Sequence, residues 1–132
     1  MSDKTVLVVD DDESIQRLVK NIFENNDWTV YVADNGLEGY KKALKLGLSG
    51  GLDLIVSDMD MPELNGLQMK QRIDEAYRNY NLFSHFILMS GNPRPMGYIG
   101  LYVMKGMQPF FDYLFDAAKG DLEQWRYENV VE

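Results

Sequence analysis

The stretch "DLIVSDMDMPELNG" (residues 53–66) places three acids and a proline directly behind a short apolar run. Residues 54–56 have the composition of a buried strand, and the Asn-Gly pair at 65–66 is typical of a turn that opens the next element. The pattern therefore predicts a strand whose carboxyl end presents Asp58 and Asp60 on a tightly shaped loop. The function of that loop depends on which other side chains the fold brings to it.

Short apolar segments alternate with helical patterns along the whole chain. The predicted strands are TVLVV (5–9), TVYVA (29–33), DLIVS (53–57), HFILM (85–89) and LYVM (101–104). Nearly continuous apolar strands of this length favour a parallel sheet that helices cover on both faces. We therefore predict an α/β domain with a doubly wound five-stranded parallel sheet, in which ligands bind at the carboxyl ends of the strands.

Apolar residues at helical spacing predict the helices that cover this sheet. The predicted core-facing stripes are Ile15, Leu18, Val19, Ile22 and Phe23 on the first helix, Leu37, Tyr40, Ala43 and Leu44 on the second, Met69, Ile73, Ala76, Tyr77 and Tyr80 on the third, and Phe111, Leu114, Phe115, Ala118, Leu122 and Trp125 on the last. The glycine-rich stretch 46–51 is expected to close the second helix.

The connection between the fourth and fifth strands differs from the others. It consists of "GNPRPMGYIG" (91–100), which contains two prolines and three glycines. A parallel crossover usually takes a dozen or more residues including a helix, and this composition strongly disfavours helix. The fourth helix is therefore predicted to be shortened to a single turn or absent.

Composition restricts the class of protein. The 132 residues suit one domain, predicted to span residues 1–132, and their net charge of −8 argues against direct nucleic-acid binding. There is no cysteine, and the single histidine, His85, excludes a histidine-rich metal centre. No apolar run approaches the ~20 residues of a membrane span, and the N-terminus lacks a signal-peptide pattern. We expect a cytoplasmic protein that does not associate with a membrane.

The predicted fold gathers polar side chains at one rim of the sheet. Asp10 and Asp11 follow the first strand, Asp58 follows the third, Ser90 the fourth and Lys105 the fifth. Crowded carboxylates repel one another unless a cation or protonation relieves them, and oxygen ligands favour Mg²⁺, with Mn²⁺ as a substitute. A lysine and a hydroxyl facing them suit an incoming oxyanion. The pattern predicts a carboxylate that accepts a phosphoryl group beside a metal ion.

The stretches "VLVVDDDE", "LIVSDMDMPELNG", "ILMSGN" and "YVMK" resemble the four signature stretches of response-regulator receiver domains, the chemotaxis-protein-Y-like phosphoacceptors of two-component signalling. The resemblance runs from about residue 5 to about residue 120. It implies a flavodoxin-like sheet of strand order 2-1-3-4-5. It also implies a signalling phosphoacceptor that catalyses only its own phosphorylation and dephosphorylation and is otherwise not an enzyme.

The resemblance assigns the acids of the rim. Asp58 would take the phosphoryl group from a histidine kinase or a phosphotransfer protein. Asp11 and Asp58 would bind Mg²⁺ directly together with the backbone carbonyl of Asp60, whereas Asp10 would act through water.

The resemblance also assigns the groups around the phosphoryl oxygens. Ser90 would donate a hydrogen bond to them and Lys105 would neutralise their charge, while the backbone N–H groups of Met59 and Gly91 would complete the cradle. Tyr102 would occupy the aromatic switch position before the lysine, and Ser90 would be the other switch residue. Phosphorylation would then change binding to a downstream protein or to a second protomer.

Two departures from the family pattern concern the output side. Proline usually follows the lysine, but here Gly106 does so and proline returns only at position 109. The predicted shortening of the fourth helix would alter the surface through which receivers pass their signal, near Tyr98 and Tyr102.

Two alternative functions remain open at this stage. The Asp58-Met-Asp60 sequence also resembles the D-x-D motif of haloacid-dehalogenase-like phosphatases, in which the second acid is a general acid. The chain could also be a receiver-like interaction module that phosphorylation does not control. Its end after the last predicted helix suits a stand-alone receiver and a fragment of a longer regulator equally well.

Overall fold

The computed structural model describes residues 4–92, 101–105, 114–116 and 118. Within them lie five strands and three helices: β1 (Thr5–Val9), α1 (Glu13–Glu24), β2 (Thr29–Ala33), α2 (Gly36–Ser49), β3 (Leu54–Asp58), α3 (Gly66–Tyr80), β4 (His85–Ser90) and β5 (Leu101–Met104). The strands form one parallel sheet in the order β2-β1-β3-β4-β5. The predicted fold class and strand order are confirmed.

The sheet has a core on each face because successive side chains of a strand point to opposite sides. In β1, Val6 and Val8 belong to one core cluster, which also contains Phe23 and Trp28. Leu7 and Val9 belong to the other, which includes residues of α2 and α3. Burial on both faces explains why the central strands are nearly continuously apolar.

Helix α1 begins and packs as its sequence predicts. The side chain of Asp12 caps its first turn by accepting a hydrogen bond from the Ser14 N–H. Val19 and Phe23 are fully buried, and the remaining members of the predicted stripe are partly buried against the same cluster. The helix thereby holds the loop after β1 in place at the rim.

Helix α2 ends inside the glycine-rich stretch as predicted, at Ser49 with Gly50 as its C-cap, but its buried face differs in part from the prediction. Its buried residues are Gly36, Gly39, Ala43 and Gly47. Of the predicted stripe, Ala43 is in the core and Tyr40 is partly buried against it. Leu37, which the periodicity placed toward the core, is 45% exposed. Small residues face inward because the helix lies very close to its neighbours.

Helix α3 starts at the end of the acidic loop with a complete capping box. Asn65 accepts a hydrogen bond from the Gln68 N–H, and the Gln68 side chain accepts one from the Asn65 N–H. Met69, Ile73 and Tyr77 are buried as predicted. Tyr80, by contrast, is 55% exposed at the last turn of the helix.

The last two predicted helices fall largely outside the described residues. The proposed shortening of the fourth helix concerns residues 93–100, which lie outside them, as do residues 106–113 of the loop after the lysine. Residues 114–116 and 118 are helical, with Leu114 and Ala118 buried, whereas Phe115, predicted to face the core, is 45% exposed. Trp28 donates a hydrogen bond to the Ala118 carbonyl and so fixes this segment to the core. Among the described residues, no helix is both long and apolar enough to cross a membrane.

Candidate functional site

Four strand ends carry side chains that the sequence predicts to be functional. Asp10 directly follows β1, Asp58 ends β3, Ser90 ends β4 and Lys105 directly follows β5. Because all five strands are parallel, these positions share the carboxyl rim of the sheet. The side chain of Lys105 bridges the rim, with its Nζ 3.0 Å from Asp10 Oδ2 and 3.0 Å from Asp58 Oδ1.

Three carboxylates converge at the centre of the rim. Oxygen atoms of Asp10, Asp11 and Asp58 lie within 4.8 Å of one another. Asp10 is fully buried and Asp58 is 4% exposed, whereas Asp11 is exposed. The buried Oδ2 of Asp10 has the Lys105 ammonium nearby but no aligned hydrogen-bond donor among the described residues. A set of oxygen ligands with one under-satisfied carboxylate fits a hard divalent cation such as Mg²⁺.

Burial and mutual repulsion set the ionisation of this cluster. Burial raises the pKa of Asp10, and the backbone hydrogen bond from Asp12 and the ammonium of Lys105 only partly oppose it. Burial and the charge of Asp10 likewise raise the pKa of Asp58. For Lys105, burial alone would lower the pKa, but the two carboxylates outweigh it and raise the pKa. One ammonium cannot neutralise two buried carboxylates, so the cluster retains unrelieved negative charge.

The acidic loop is shaped by a close approach at Gly66. The Gly66 N–H donates to the Met59 carbonyl at 3.0 Å, which closes the loop onto the first turn of α3. A Cβ atom at this glycine would lie 2.4 Å from the backbone oxygen of Asp58. The turn chemistry of the opening stretch thus determines where the Asp58 carboxylate points.

The predicted cradle around the phosphoryl group is only partly arranged in this structure. Gly91 is exposed directly after Ser90, as a cradle residue requires. The Met59 N–H donates to the Met89 carbonyl at 2.7 Å, so it would have to leave this acceptor in order to bind a phosphoryl oxygen.

Ser90 and Asp60 contact each other directly, which the sequence did not predict. Ser90 Oγ donates to Asp60 Oδ2 at 2.8 Å and accepts from the Asn92 N–H at 3.0 Å. The Tyr102 hydroxyl donates to the Asn92 carbonyl. The two predicted switch residues are therefore connected through Asn92.

Sequence reasoning also missed Gln16. Its Nε2 donates to the Asp10 carbonyl at 2.5 Å and to Asp34 Oδ1 at 2.8 Å, and so it joins the loops that follow β1 and β2. The available signal was a polar residue in line with Val19 and Phe23 on the buried face of α1. Gln16 fixes the backbone of Asp10 without reaching the reacting atoms.

Three convergent acids and a lysine at the rim of a doubly wound sheet place this chain among α/β proteins whose site chemistry suits an anionic ligand beside a metal ion. Comparison with protein families makes this specific, because residues 6–96 match the model of the response regulator receiver domain. The chain belongs to the response regulator receiver domain family.

Curated relatives and solved structures agree with this assignment. A protein-glutamate methylesterase/protein-glutamine glutaminase from Trichodesmium erythraeum is 35% identical over 75 residues, which cover 55% of this chain and 20% of the relative. The transcriptional regulatory protein SrrA from Staphylococcus aureus is 31% identical over 70 residues, covering 53% of this chain and 27% of SrrA. The chain spans only about a fifth to a quarter of these relatives.

One similar solved structure carries ligands. The response regulator protein TrrA from Thermotoga maritima, solved in complex with Mg²⁺-BeF, is 27% identical to this chain. It has a TM-score of 0.67 and covers 92% of this chain and 98% of its own.

Proposed function

We propose that this receiver domain accepts a phosphoryl group on Asp58 from a histidine kinase or phosphotransfer protein, in a reaction that requires Mg²⁺. The observation that supports this most strongly is the Asp58 carboxylate itself, buried between a lysine and two further acids. Both hydrogen bonds that the described residues give this carboxylate, from Lys105 Nζ and from the Asp60 N–H, go to Oδ1. Oδ2 is then the oxygen that attacks phosphorus.

In the proposed transfer, an oxygen–phosphorus bond forms at Asp58 while the phosphorus–nitrogen bond of the donor's phosphohistidine breaks. The electron pair of the broken bond goes to the imidazole nitrogen. Lys105 lies where it can neutralise charge on the phosphoryl oxygens, and Ser90 can donate a hydrogen bond to them. Positioning and charge neutralisation carry most of the catalysis in reactions of this kind.

Asp11, Asp58 and the Asp60 carbonyl would hold the metal ion, with Asp10 acting through water. When bound, Mg²⁺ supplies positive charge to the acids and to the phosphoryl oxygens. The Mg²⁺-BeF complex of the similar protein TrrA supports this choice of metal. Mn²⁺ has the same preference for oxygen ligands and is proposed as a substitute.

The hydrogen bonds of Asp60 favour a receiver over the phosphatase alternative. A general acid must donate a proton, but Asp60 Oδ2 accepts hydrogen bonds from Ser90 and Asn92. We therefore assign Asp60 no acid role. We further propose that residues 1–132 act as one cytoplasmic receiver domain and that its output is altered binding to a downstream protein or a second protomer.

Intact mass spectrometry with a phosphohistidine donor or acetyl phosphate tests the proposal. We expect the wild-type protein to gain one phosphoryl group in the presence of Mg²⁺ and none with EDTA. Asp58→Asn should gain none, whereas the surface variant Asp74→Asn should behave as wild type. Full labelling of Asp58→Asn would refute the assignment.

A further inference from the structure

The Ser90 hydroxyl is already committed to another partner in this structure. Ser90 is 1% exposed, and its Oγ lies 2.8 Å from Asp60 Oδ2. The Asn92 N–H donates to the same Oγ at 3.0 Å. Because the hydroxyl accepts from Asn92, its proton is directed to the Asp60 carboxylate.

A serine hydroxyl has one proton, so it can donate to one acceptor at a time. A phosphoryl group on Asp58 would need that proton, yet Asp60 holds it in a hydrogen bond to a carboxylate, which is stronger than one between neutral groups. Asp60 is exposed, so water can solvate its carboxylate once the Ser90 hydroxyl has left it. These two groups are therefore arranged as competitors for the same proton.

We propose that the Asp60 side chain is a latch that holds Ser90 until a phosphoryl group displaces it. This inference rests on the proposed phosphorylation of Asp58 and makes Asp60 a positioning residue, separate from its backbone carbonyl that would bind the metal. Release of Ser90 also loosens Asn92, whose Nδ2 lies 3.4 Å from Asp60 Oδ2. Since the Asn92 carbonyl accepts from the Tyr102 hydroxyl, the change reaches β5.

A double-mutant cycle with Mg²⁺ and beryllofluoride as the phosphoryl mimic tests the latch. Affinities are measured by calorimetry at saturating Mg²⁺ for the wild type, Asp60→Ala, Ser90→Ala and the double variant. Removing the competing acceptor should tighten beryllofluoride binding by about tenfold when Ser90 is present, the size of one hydrogen bond to a charged group. In the Ser90→Ala background, Asp60→Ala should change the affinity by no more than about twofold.

Asp60→Ala also removes a negative charge, so a matched control must show that this loss of charge does not itself tighten beryllofluoride binding. Glu63 is an exposed acid of the same loop, so Glu63→Gln removes one negative charge without touching Ser90. We expect its affinity to equal that of the wild type, and circular dichroism to confirm that all variants fold. An equal gain from Asp60→Ala in both backgrounds, or no gain at all, overturns the latch.

The outcomes separate the latch from the function on which it rests. If Asp58→Asn abolishes beryllofluoride binding but Asp60 and Ser90 show zero coupling, the latch alone is overturned. If Asp58→Asn binds beryllofluoride as tightly as the wild type, or if the wild type does not bind it, the proposed phosphoryl site and the latch are both overturned.

Discussion

At the scale of single residues, the structure explains both what the sequence predicted about the site and what it missed. Asp10, Asp58, Ser90 and Lys105 were predictable because strand ends in a parallel sheet share a rim. The contact between Ser90 and Asp60 was not, because it depends on side-chain rotamers and on two loop conformations that no periodicity encodes.

The buried acids make the stability of the metal-free protein depend on pH. The pKa of Asp10 in the folded protein lies above its ordinary value of 3.8, so the folded state binds its proton more tightly than the unfolded chain does. Stability therefore falls as the pH rises from about 4 through the raised pKa, and then stays at the lower level. The raised pKa of Asp58 acts in the same direction.

We predict that Asp10→Asn raises the melting temperature of the metal-free protein at pH 7.5. The amide keeps an oxygen for the Asp12 N–H, which bonds Oδ1 at 2.9 Å, but removes one buried charge. Each kcal/mol of relief corresponds to roughly 3–5 °C in a domain of this size. The gain should shrink as the pH falls toward 4, because the raised pKa lets a growing fraction of Asp10 lose its charge, and thermal unfolding followed by circular dichroism measures this.

The surface variant Asp74→Asn is the control for this experiment, because Asp74 is half-exposed and paired only with Lys70 among the described residues. Its free energy of unfolding should stay within about 0.5 kcal/mol of the wild-type value, which is about 2 °C in melting temperature. If Asp10→Asn instead lowers the melting temperature at pH 7.5, the contacts of the Asp10 carboxylate stabilise the fold by more than the burial of its charge destabilises it.

At the scale of elements, α2 shows why apolar periodicity can miss part of a buried face. The apolar spacing correctly placed Ala43 in the core, but it could not indicate Gly36, Gly39 and Gly47, because glycine has no apolar side chain. A Cβ at Gly39, however, would lie 2.7 Å from Met69 Sδ and 2.9 Å from Val9 Cγ1. At its glycines the backbone of α2 packs directly against β1 and α3. This close contact depends on the neighbouring elements, so the sequence of the helix alone does not indicate it.

The join between β3 and α3 yields a prediction at the same scale. We expect Gly66→Ala to destabilise the protein by about 1–3 kcal/mol, as overpacking does. The new Cβ would meet the Asp58 backbone oxygen at 2.4 Å and Leu88 Cδ1 at 2.8 Å. Alanine's better helix propensity, about 1 kcal/mol at most, cannot offset a clash with backbone.

Urea unfolding provides the measurement, with Gly50→Ala as the matched control. A Cβ at Gly50, beyond the end of α2, would meet no atom within 4 Å. Gly66→Ala should also label more slowly at Asp58 because the clash displaces that residue. Equal stability of the two variants would show that the loop after β3 is not fixed by this contact.

At the scale of the whole molecule, the site connects segments that are far apart in the chain. Asp10 and Asp58 meet only when β1 and β3 pair, and Lys105 joins them only when β5 is in place. The unfolded chain does not bring these groups together. A cation that binds them therefore stabilises the entire fold, and not only the rim.

We predict that Mg²⁺ at 100 times its dissociation constant adds about 2.7 kcal/mol to the free energy of unfolding at pH 7.5. At the same Mg²⁺ concentration the gain should be smaller at pH 4.5. Protons compete more strongly with Mg²⁺ there, because the pKa values of Asp10 and Asp58 are raised. Thermal unfolding in MgCl₂ and in NaCl of equal ionic strength separates binding from screening. Asp11→Asn should lose most of the gain and Asp74→Asn none of it. If NaCl reproduces the effect, or if Asp11→Asn keeps it in full, the three carboxylates do not form a magnesium site.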